Sequence, residues 1–597
     1  MISRIDKPRR RRRFGVYDFE WVPGTLDLRM CGFYDGVNYH WFKTMQAFLN
    51  HLLSRENAGA WNFAHAGGLA DVQFVLEHIL LKGGDTYAVK ANFSSASAIT
   101  VEIKRGKQTW YLCDSYWLLR DSLKRIGKAI GLEKGGPAGW DEDSDDYDES
   151  AIKEWYRSAP LSDLIPYNEQ DCRILWHAID EFENIQLDLG GELQKTIASC
   201  GMNLFKREFL RENIDTHSAV NRNAREGYFA SRVEVFERHC RDAYYYDINS
   251  SFAFAMTKPC PGSLRRQHRR GLPDYDKIFM ADMEIDVPEN YLPVVPYRRP
   301  DSGLYFPTGR WRSWFTSVDL EMMEDEGVKF LKCYDVMEFT PFYDLADYAR
   351  TIYTARLKAQ RDGNSYLALV YKYLLNSLYG KFAESDEKTT FYWNPTVDRL
   401  VTLRNEDGSP KEGATRLFPG AWLQDKRVHV SHMHVPISAH ITAEARRTLH
   451  TFMSYTGHQY YCDTDGFASH DVLTPGDQLG DIKLEKYIDE GEFFEPKGYR
   501  IDGRDDKNRP LRLRKLKGVS LGRTQHAIET RFDMVMNGYR IPITRMSRLK
   551  ENFRRNVLKP HEEVMWKGLE GGRIEKRFTF PDGSTRPWSV GELQEMT

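Results

Sequence analysis

Two stretches of this 597-residue chain set aspartates inside aromatic runs: Tyr244-Tyr245-Tyr246-Asp247-Ile248-Asn249-Ser250-Ser251-Phe252 and Tyr460-Tyr461-Cys462-Asp463-Thr464-Asp465-Gly466-Phe467. Aromatic runs favour a pleated strand, and Asp463 and Asp465, two apart on a strand, point to one face. A carboxylate among rings is costly unless it is paired or holds a cation. If Asp247 joins them, three carboxylates can hold two magnesium ions about 3.5–4 Å apart, the arrangement that supports in-line phosphoryl displacement. Magnesium prefers a few carboxylates completed by substrate phosphates, which suits a nucleotide site. The chain must therefore fold so that remote segments meet.

Between the two stretches lie the helical patterns LADYARTIYTARLKAQ and SYLALVYKYLLNSLYG, split by an Asp-Gly-Asn turn, so a helical hairpin is expected. In the second, Lys372, Asn376 and Tyr379 stand at i, i+4 and i+7 and share a face. A cation, an amide and a ring on one stripe match a triphosphate, a sugar or backbone, and a base pair. The bland alternative is a packed helix whose lysine reaches out to water.

The first third repeats the pattern of spaced acids. Asp18 and Glu20 alternate on the strand-like FGVYDFE, so both face one side. Asp71 follows Ala-His-Ala-Gly-Gly-Leu-Ala within the apolar segment 69–81, which is expected to open a helix. Asp171 follows Tyr167 by four on a helical pattern. Four carboxylates and a tyrosine are the equipment for two-metal phosphodiester hydrolysis, the tyrosine orienting the attacking water or helping to deprotonate it. Singly, each reads as a surface acid.

A chain of this length is expected to form several domains. Hydrophobic residues at 41% and aromatics at 13% support a large core and exclude global disorder. No apolar run approaches the roughly 18 residues of a membrane helix. The N-terminal MISRIDKPRRRRRF has no apolar segment behind it, so it does not read as a secretory signal. It reads as a solvated, frayed arm or as an electrostatic tether to nucleic acid. Eight cysteines without a Cys-x-x-Cys pair argue against a zinc site or a disulfide framework and for a reducing, intracellular setting. The net charge of −2 leaves nucleic acid undecided, because a metal-holding enzyme combines an acidic centre with basic walls. The acidic stretch 137–149 is expected as an exposed loop.

In chain order, DINSSF resembles motif A of the family B DNA polymerases, KYLLNSLYG motif B and YCDTDG motif C. Thr442-Ala443-Glu444-Ala445-Arg446 resembles the Thr-x-x-Gly/Ala-Arg element that touches primer–template DNA. Lys497-Gly498-Tyr499 resembles the Lys-x-Tyr element that holds the primer end, with Lys517 as a further cation. The acids of the first third resemble the family's proofreading set, and Ser122-Leu123-Lys124-Arg125-Ile126 its Ser/Thr-Leu-x-x-apolar contact to a frayed single strand.

This resemblance implies a multidomain α/β chain, an RNase H-like 3′→5′ exonuclease domain followed by a right-hand palm, fingers and thumb. Asp247 and Asp465 are the implied main metal ligands of the polymerase, with Asp463 in support. Asp18, Glu20, Asp71, Tyr167 and Asp171 are the implied exonuclease residues, of which Asp18, Glu20 and Asp171 hold metal. Phe252, Arg356, Lys372, Asn376 and Tyr379 are implied to bind the nucleotide, and Ser122, Leu123, Thr442, Arg446, Lys497, Tyr499 and Lys517 the DNA. Two Mg2+ per site are implied, with Mn2+ as a substitute.

Departures from the pattern are specific. Ser251, Phe252 and Ala253 replace the usual Leu, Tyr and Pro of motif A. The ring at 252 still blocks a ribose 2′-hydroxyl, while the missing phenol removes a hydrogen-bond partner. Gly466 replaces the Ser that usually ends motif C. Ala66 stands where the second exonuclease motif carries a strand-holding Asn, and Asn62 is off register. An active exonuclease with a weaker grip on single strands is expected.

Length, compact exonuclease and motif spacing resemble the protein-primed replicases of linear phage genomes and linear plasmids. The expected division is 1–190 exonuclease (arm 1–13), 191–256 linker and first palm segment, 257–345 palm and first insertion, and 346–384 fingers. Residues 385–430 follow as the second insertion, 431–525 as palm with motif C, and 526–597 as thumb. Residues 297–340, with FTSVDLEMM, resemble the first insertion and imply a terminal protein as priming partner. The second insertion implies strand displacement and processivity by closing a ring with the thumb. The linker Tyr-x-Gly-Gly/Ala is present only as Tyr228-Phe229-Ala230-Ser231. Primer–template DNA and dNTPs are the other expected partners of a cytoplasmic monomer, in the host cytoplasm if viral, without membrane contact. The rival readings are a DNA-primed or primer-independent family B polymerase and a non-catalytic replisome scaffold. A reverse transcriptase would want two adjacent aspartates where Asp463-Thr464-Asp465 stands.

Overall fold

The computed structural model describes residues 1–94, 97–136, 149–299, 303–395, 405, 409–569 and 575–596. Residues 137–148 of the expected acidic loop lie outside these. A ten-stranded sheet organises the N-terminal part. Its strand Phe14–Trp21 runs antiparallel to Leu28–Tyr34 and parallel to Trp61–Ala64, and the helix Leu161–Asp188 packs across the first two. Strands buried on both faces must be continuously apolar, and Phe14, Val16, Tyr17 and Phe19 meet that demand.

The outer strands of this sheet come from far along the chain. Glu387–Trp393 pairs antiparallel with Ala88–Phe93, Trp393 opposite Val89, and carries Ala421–Arg427 beyond it. The stretch 385–430, expected as the second insertion, thus extends the N-terminal sheet. Its Thr-Thr-Phe-Tyr-Trp run is β-branched and aromatic, which suits a buried strand, and Phe391 and Trp393 enter the core with Ala91 and Phe93. The helix Leu549–Arg554 closes on the same core, with the Phe553 ring stacked on Phe391 at 4.0 Å. Asn552 donates to Gln73 Oε1 at 3.2 Å beneath it.

A seven-stranded antiparallel sheet holds His239–Ile248 between Ile482–Glu495 and Gly466–Ser469, with Gln459–Asp463 next to the latter. A four-stranded sheet joins Cys260–His268, Lys329–Phe342, Ile278–Val287 and Gly309–Thr316. The segment 297–340 is therefore not a separate unit, because its long strands pair with others that begin at residue 260. The expected helical hairpin is Asp344–Arg361 and Ser365–Phe382, with Asn364 capping the second helix through Leu367 N at 2.9 Å.

In 526–597, expected as thumb, stand Gln525–Met536, the hairpin Ile541–Met546/Glu562–Lys567 and the segment 575–596, whose end is not frayed but packs on the central part. There Arg577 is buried between the Phe236 and Tyr291 rings, and Val590 shares a core with Trp311 and Phe315. Nor is the arginine arm frayed. Ile2 bridges to Ile214, the backbone N–H groups of Arg10 and Arg12 donate to Glu192 and Glu183, and Arg11 meets Asp180 at 3.1 Å. Acids on and just after the helix Leu161–Asp188 order it. No helix among the described residues is long and apolar enough to cross a membrane.

Candidate active sites

The strand register brings the remote acids together. Gly466 stands opposite Asp247, so Asp465 lies beside the end of the strand His239–Ile248, and Ile248 N donates to Asp465 O at 2.8 Å. Thr464 turns the chain with φ +66. The facing wall is the helical hairpin. A cleft of about 920 Å³ is lined by Asp247, Asp465, Phe252, Arg356, Lys372 and Asn376, with Tyr379 at its margin. Lys372 and Asn376 are exposed along the expected stripe. Ser250, at φ +51, accepts a hydrogen bond from Arg356 Nη1 at 3.0 Å, which fixes the guanidinium over the cleft. The rings of Phe252 and Tyr379 are 4.4 Å apart and 11° from parallel.

The charges of this cleft are unevenly compensated. Burial, then Asp247 and Asp463, push the Asp465 carboxyl up to about 7. Burial also raises Asp247, against the pull of Lys483, whose Nζ is 3.3 Å from Asp247 Oδ1 and 3.2 Å from Glu485 Oε1. Asp463 does not line the cleft. Its Oδ1 takes Lys497 Nζ at 3.3 Å and the Thr464 hydroxyl at 3.0 Å.

Of the residues expected on DNA, Lys497 and Lys517 are exposed, while Tyr499 packs against Tyr461 and Phe493. Thr442 and Arg446 are not on a surface at all. The Thr442 hydroxyl donates to Ala439 O within the helix Val435–Ser454. Arg446 Nη2 meets Asp319 Oδ1 at 2.7 Å with both side chains buried, and Nη1 donates to Phe229 O at 2.8 Å. Arg446 thus ties the linker Tyr228–Ser231 to the FTSVDLEMM helix.

In the N-terminal sheet, Asp18 and Glu20 converge with Asp71, at the start of the helix Asp71–Lys82, and with Asp171. Asn168 Nδ2 donates to Asp18 Oδ2 and Glu20 Oε1, both at 3.0 Å, and Lys134 Nζ lies 2.7 Å from Asp171 Oδ2. Burial and then Asp171 push Asp18 up to about 7, while burial and Asp18 raise Glu20 and Asp71 strongly. Burial, followed by Asp171, holds the Tyr167 phenol protonated. The Tyr167 hydroxyl lies 3.1 Å from that of Tyr156.

Ser122 is exposed and Leu123 half-buried at the start of the helix Leu123–Ala129. The Ser122 hydroxyl caps the helix Leu123–Ala129 through Arg125 N, and Leu123 packs on the core. Beside the loop of Ala66 stand Asp114 and Ser115 instead. Ser115 Oγ donates to Ala64 O at 3.1 Å, and the Asp114 carboxyl, pushed to about 6 by burial, accepts from the Tyr116, Gly68 and Ala66 N–H groups. Ala66 holds φ +55, a left-handed conformation that Asn adopts more readily than Ala. Asn62 is buried in its strand and donates to Tyr111 O.

Both acid clusters suit divalent cations. Asp71 Oδ1 and Asp171 Oδ1 are buried without a hydrogen-bond partner, and Asp465 has no ion-pair partner among the described residues. No three His, Cys, Asp or Glu side chains among the described residues form a ready-made ligand group. Lysines rest against these acids: Lys497 and Lys134 each meet one carboxylate, and Lys483 bridges two. An octahedral cation that keeps waters and takes substrate phosphates does not need a closed protein cage. Sequence reasoning missed Asn168, Lys134, Lys483, Glu485, Asp114 and Ser115. Asn168 stands next to Tyr167, and the alternation Lys483-Leu484-Glu485 on a strand was a visible sign.

Comparison with known proteins shows what the chain as a whole is similar to. The family pattern described as DNA polymerase type B, organellar and viral, matches residues 146–408. A probable DNA polymerase of Podospora anserina is 25% identical over 479 residues, covering 67% of this chain, which spans only 38% of that relative's length. The DNA-directed DNA polymerase of Enterobacteria phage PRD1 is 23% identical over 502 residues, 80% of this chain and 82% of its own. Phi29 DNA polymerase complexed with primer-template DNA and incoming nucleotide substrates superposes with a TM-score of 0.71 at 17% identity, over 94% of this chain and 100% of its own. The likeness of fold gives the expected class: an exonuclease-type α/β domain followed by palm, fingers and thumb.

Proposed function

Because this chain has the fold and the ordered motifs of the type B DNA polymerases, we propose that it is a DNA-templated DNA polymerase with a proofreading 3′→5′ exonuclease. One observation carries the reading: Asp247 and Asp465 meet at the end of paired strands, across a cleft from Arg356, Lys372 and Asn376. Asp247 and Asp465, and Asp18, Glu20 and Asp171, would hold magnesium, which would supply activation of the attacking oxygen and neutralisation of developing charge.

The chain's own groups do the rest. Lys372 and Arg356 neutralise the triphosphate, and the amide of Asn376 suits its sugar or phosphate edge. Phe252, fixed against Tyr379, fills the space a 2′-hydroxyl would need. Lys497, Tyr499 and Lys517 hold the primer strand, Lys497 from beside Asp463. In the exonuclease, Asn168 fixes the rotamers of Asp18 and Glu20, and Tyr167 donates to the attacking water. The test is primer extension on a templated duplex. Wild type extends with Mg2+ or Mn2+ and Asp465→Ala does not, whereas a wild type inert with both metals overturns the reading.

The finer reading is protein priming with strand displacement. It is supported by the sheet built on residues 260–342, where the first insertion is expected, and by the packing of Leu549–Arg554 onto Glu387–Trp393, which links insertion, thumb segment and exonuclease sheet. A candidate terminal protein incubated with the enzyme and one labelled dNTP should give a covalent protein–nucleotide product. Efficient extension of oligonucleotides without that product favours the DNA-primed alternative.

A further inference from the structure

We propose that Lys483 is the resident counter-cation of the polymerase cleft, a positioning residue that holds Asp247 until a nucleotide triphosphate is bound. The inference rests on the polymerase reading above. Lys483 stands directly opposite Asp247 in the strand register, on the side away from Gly466. Its ammonium bridges Asp247 Oδ1 at 3.3 Å and Glu485 Oε1 at 3.2 Å. Glu485 is anchored independently by Lys486 at 2.8 Å, whose own ammonium lies 4.3 Å over the Tyr245 ring. Lys483 is 46% exposed, so its stem has room to swing.

Two consequences follow from this bridge. While Lys483 holds Asp247, a second cation beside Asp465 meets a like charge and finds one ligand already engaged. When Lys483 lets go, its ammonium keeps Glu485 and the arriving cation takes Asp247, so neither charge is left unpaired. A bound triphosphate adds anionic acceptors beside Arg356 and Lys372 and tips the balance toward release. Cation and nucleotide occupancy are then coupled, each raising the affinity of the other by the same factor. The bland alternative, a surface lysine that shares two carboxylates, predicts no change in cation affinity when its charge is removed.

The experiment titrates Mn2+ into nucleotide-free protein and reads free ion by electron paramagnetic resonance. Wild type, Lys483→Met, Lys483→Gln, Lys483→Arg and Asp465→Ala are compared in an Asp18→Ala/Glu20→Ala background, which removes two acids of the other site. Lys483→Met and Lys483→Gln should bind Mn2+ about tenfold more tightly than wild type, and Lys483→Arg should match wild type. Primer–template and dNTP should shrink the difference. Two uncharged variants guard against a folding defect peculiar to one, which a thermal melt would show. Equal Mn2+ affinity in wild type and both uncharged variants overturns the proposal. If Asp465→Ala weakens Mn2+ binding while the Lys483 variants change nothing, only the role of Lys483 falls; if Asp465→Ala has no effect either, the polymerase site itself is misread.

Discussion

Phe252 and Tyr379 lie face to face, 4.4 Å between ring centres and 11° from parallel, although one follows a palm strand and the other sits on a fingers helix. The stack leaves Phe252 no freedom to retreat from an incoming sugar. Phe252→Val should raise ribonucleotide use relative to deoxynucleotide use by about tenfold to a hundredfold, measured as the ratio of kcat/KM values. An unchanged ratio would remove Phe252 from sugar selection.

Asp463 and Asp465 share a motif but not an environment. Asp465 is without an ion pair in the cleft, whereas Asp463 is engaged by Lys497. Asp465→Ala should lower kcat for extension at least about a thousandfold. Asp463→Ala should act mainly on primer affinity through the released Lys497. Equal loss of kcat in both variants contradicts this division.

Arg446, expected on DNA, is a buried partner of Asp319. Removing it leaves an uncompensated buried carboxylate, so Arg446→Ala should cost about 3–5 kcal/mol of stability. Arg446→Met combined with Asp319→Asn should recover part of that loss in denaturant unfolding. A stable Arg446→Ala protein with a purely DNA-binding defect would restore the original expectation.

His434 and His440 are buried, hydrogen-bonded to Gly262 O and Pro436 O, and burial lowers both rings to about 4 from an ordinary 6.5. Both rings stay neutral in the fold, while the unfolded chain takes up protons below 6.5. Their contribution is therefore full above pH 6.5 and is lost progressively as pH falls toward 4. Unfolding free energies at pH 7.5 and 5.0 should differ less in His434→Gln/His440→Gln than in wild type. An identical difference would mean that other groups set the acid limit.

Ala66 occupies a left-handed backbone position in the N-terminal part, close to Asp71 in the chain. Ala66→Asn should raise stability by up to about 1 kcal/mol and tighten single-strand binding. A melting curve and a fluorescence-anisotropy titration with a short single strand check the two effects separately.

The acids were legible because alternation on a strand and i, i+4 spacing on a helix are local properties, and Asp18/Glu20, Tyr167/Asp171 and Lys372/Asn376 follow them. Burial is not local. Thr442 and Arg446 carry residue types suited to DNA, and only the packing of Val435–Ser454 against the FTSVDLEMM helix decides that they face inward. Ser122 is exposed, but its hydroxyl is engaged as a helix cap, and the arm is ordered by Glu183 and Glu192. Lys483 and Lys134 were missed for another reason: a lysine near a metal site reads as surface charge until its carboxylate partner is known.

The pairing of Glu387–Trp393 with Ala88–Phe93 sets limits on how the molecule can be cut. Trimming the chain to an isolated N-terminal fragment would strip a neighbour from Ala88–Phe93 and leave bare amide and carbonyl groups open to self-association. Excising the stretch 385–430 would do the same from the opposite direction. Silencing one acid cluster while keeping the other is thus a matter of single side chains rather than truncation.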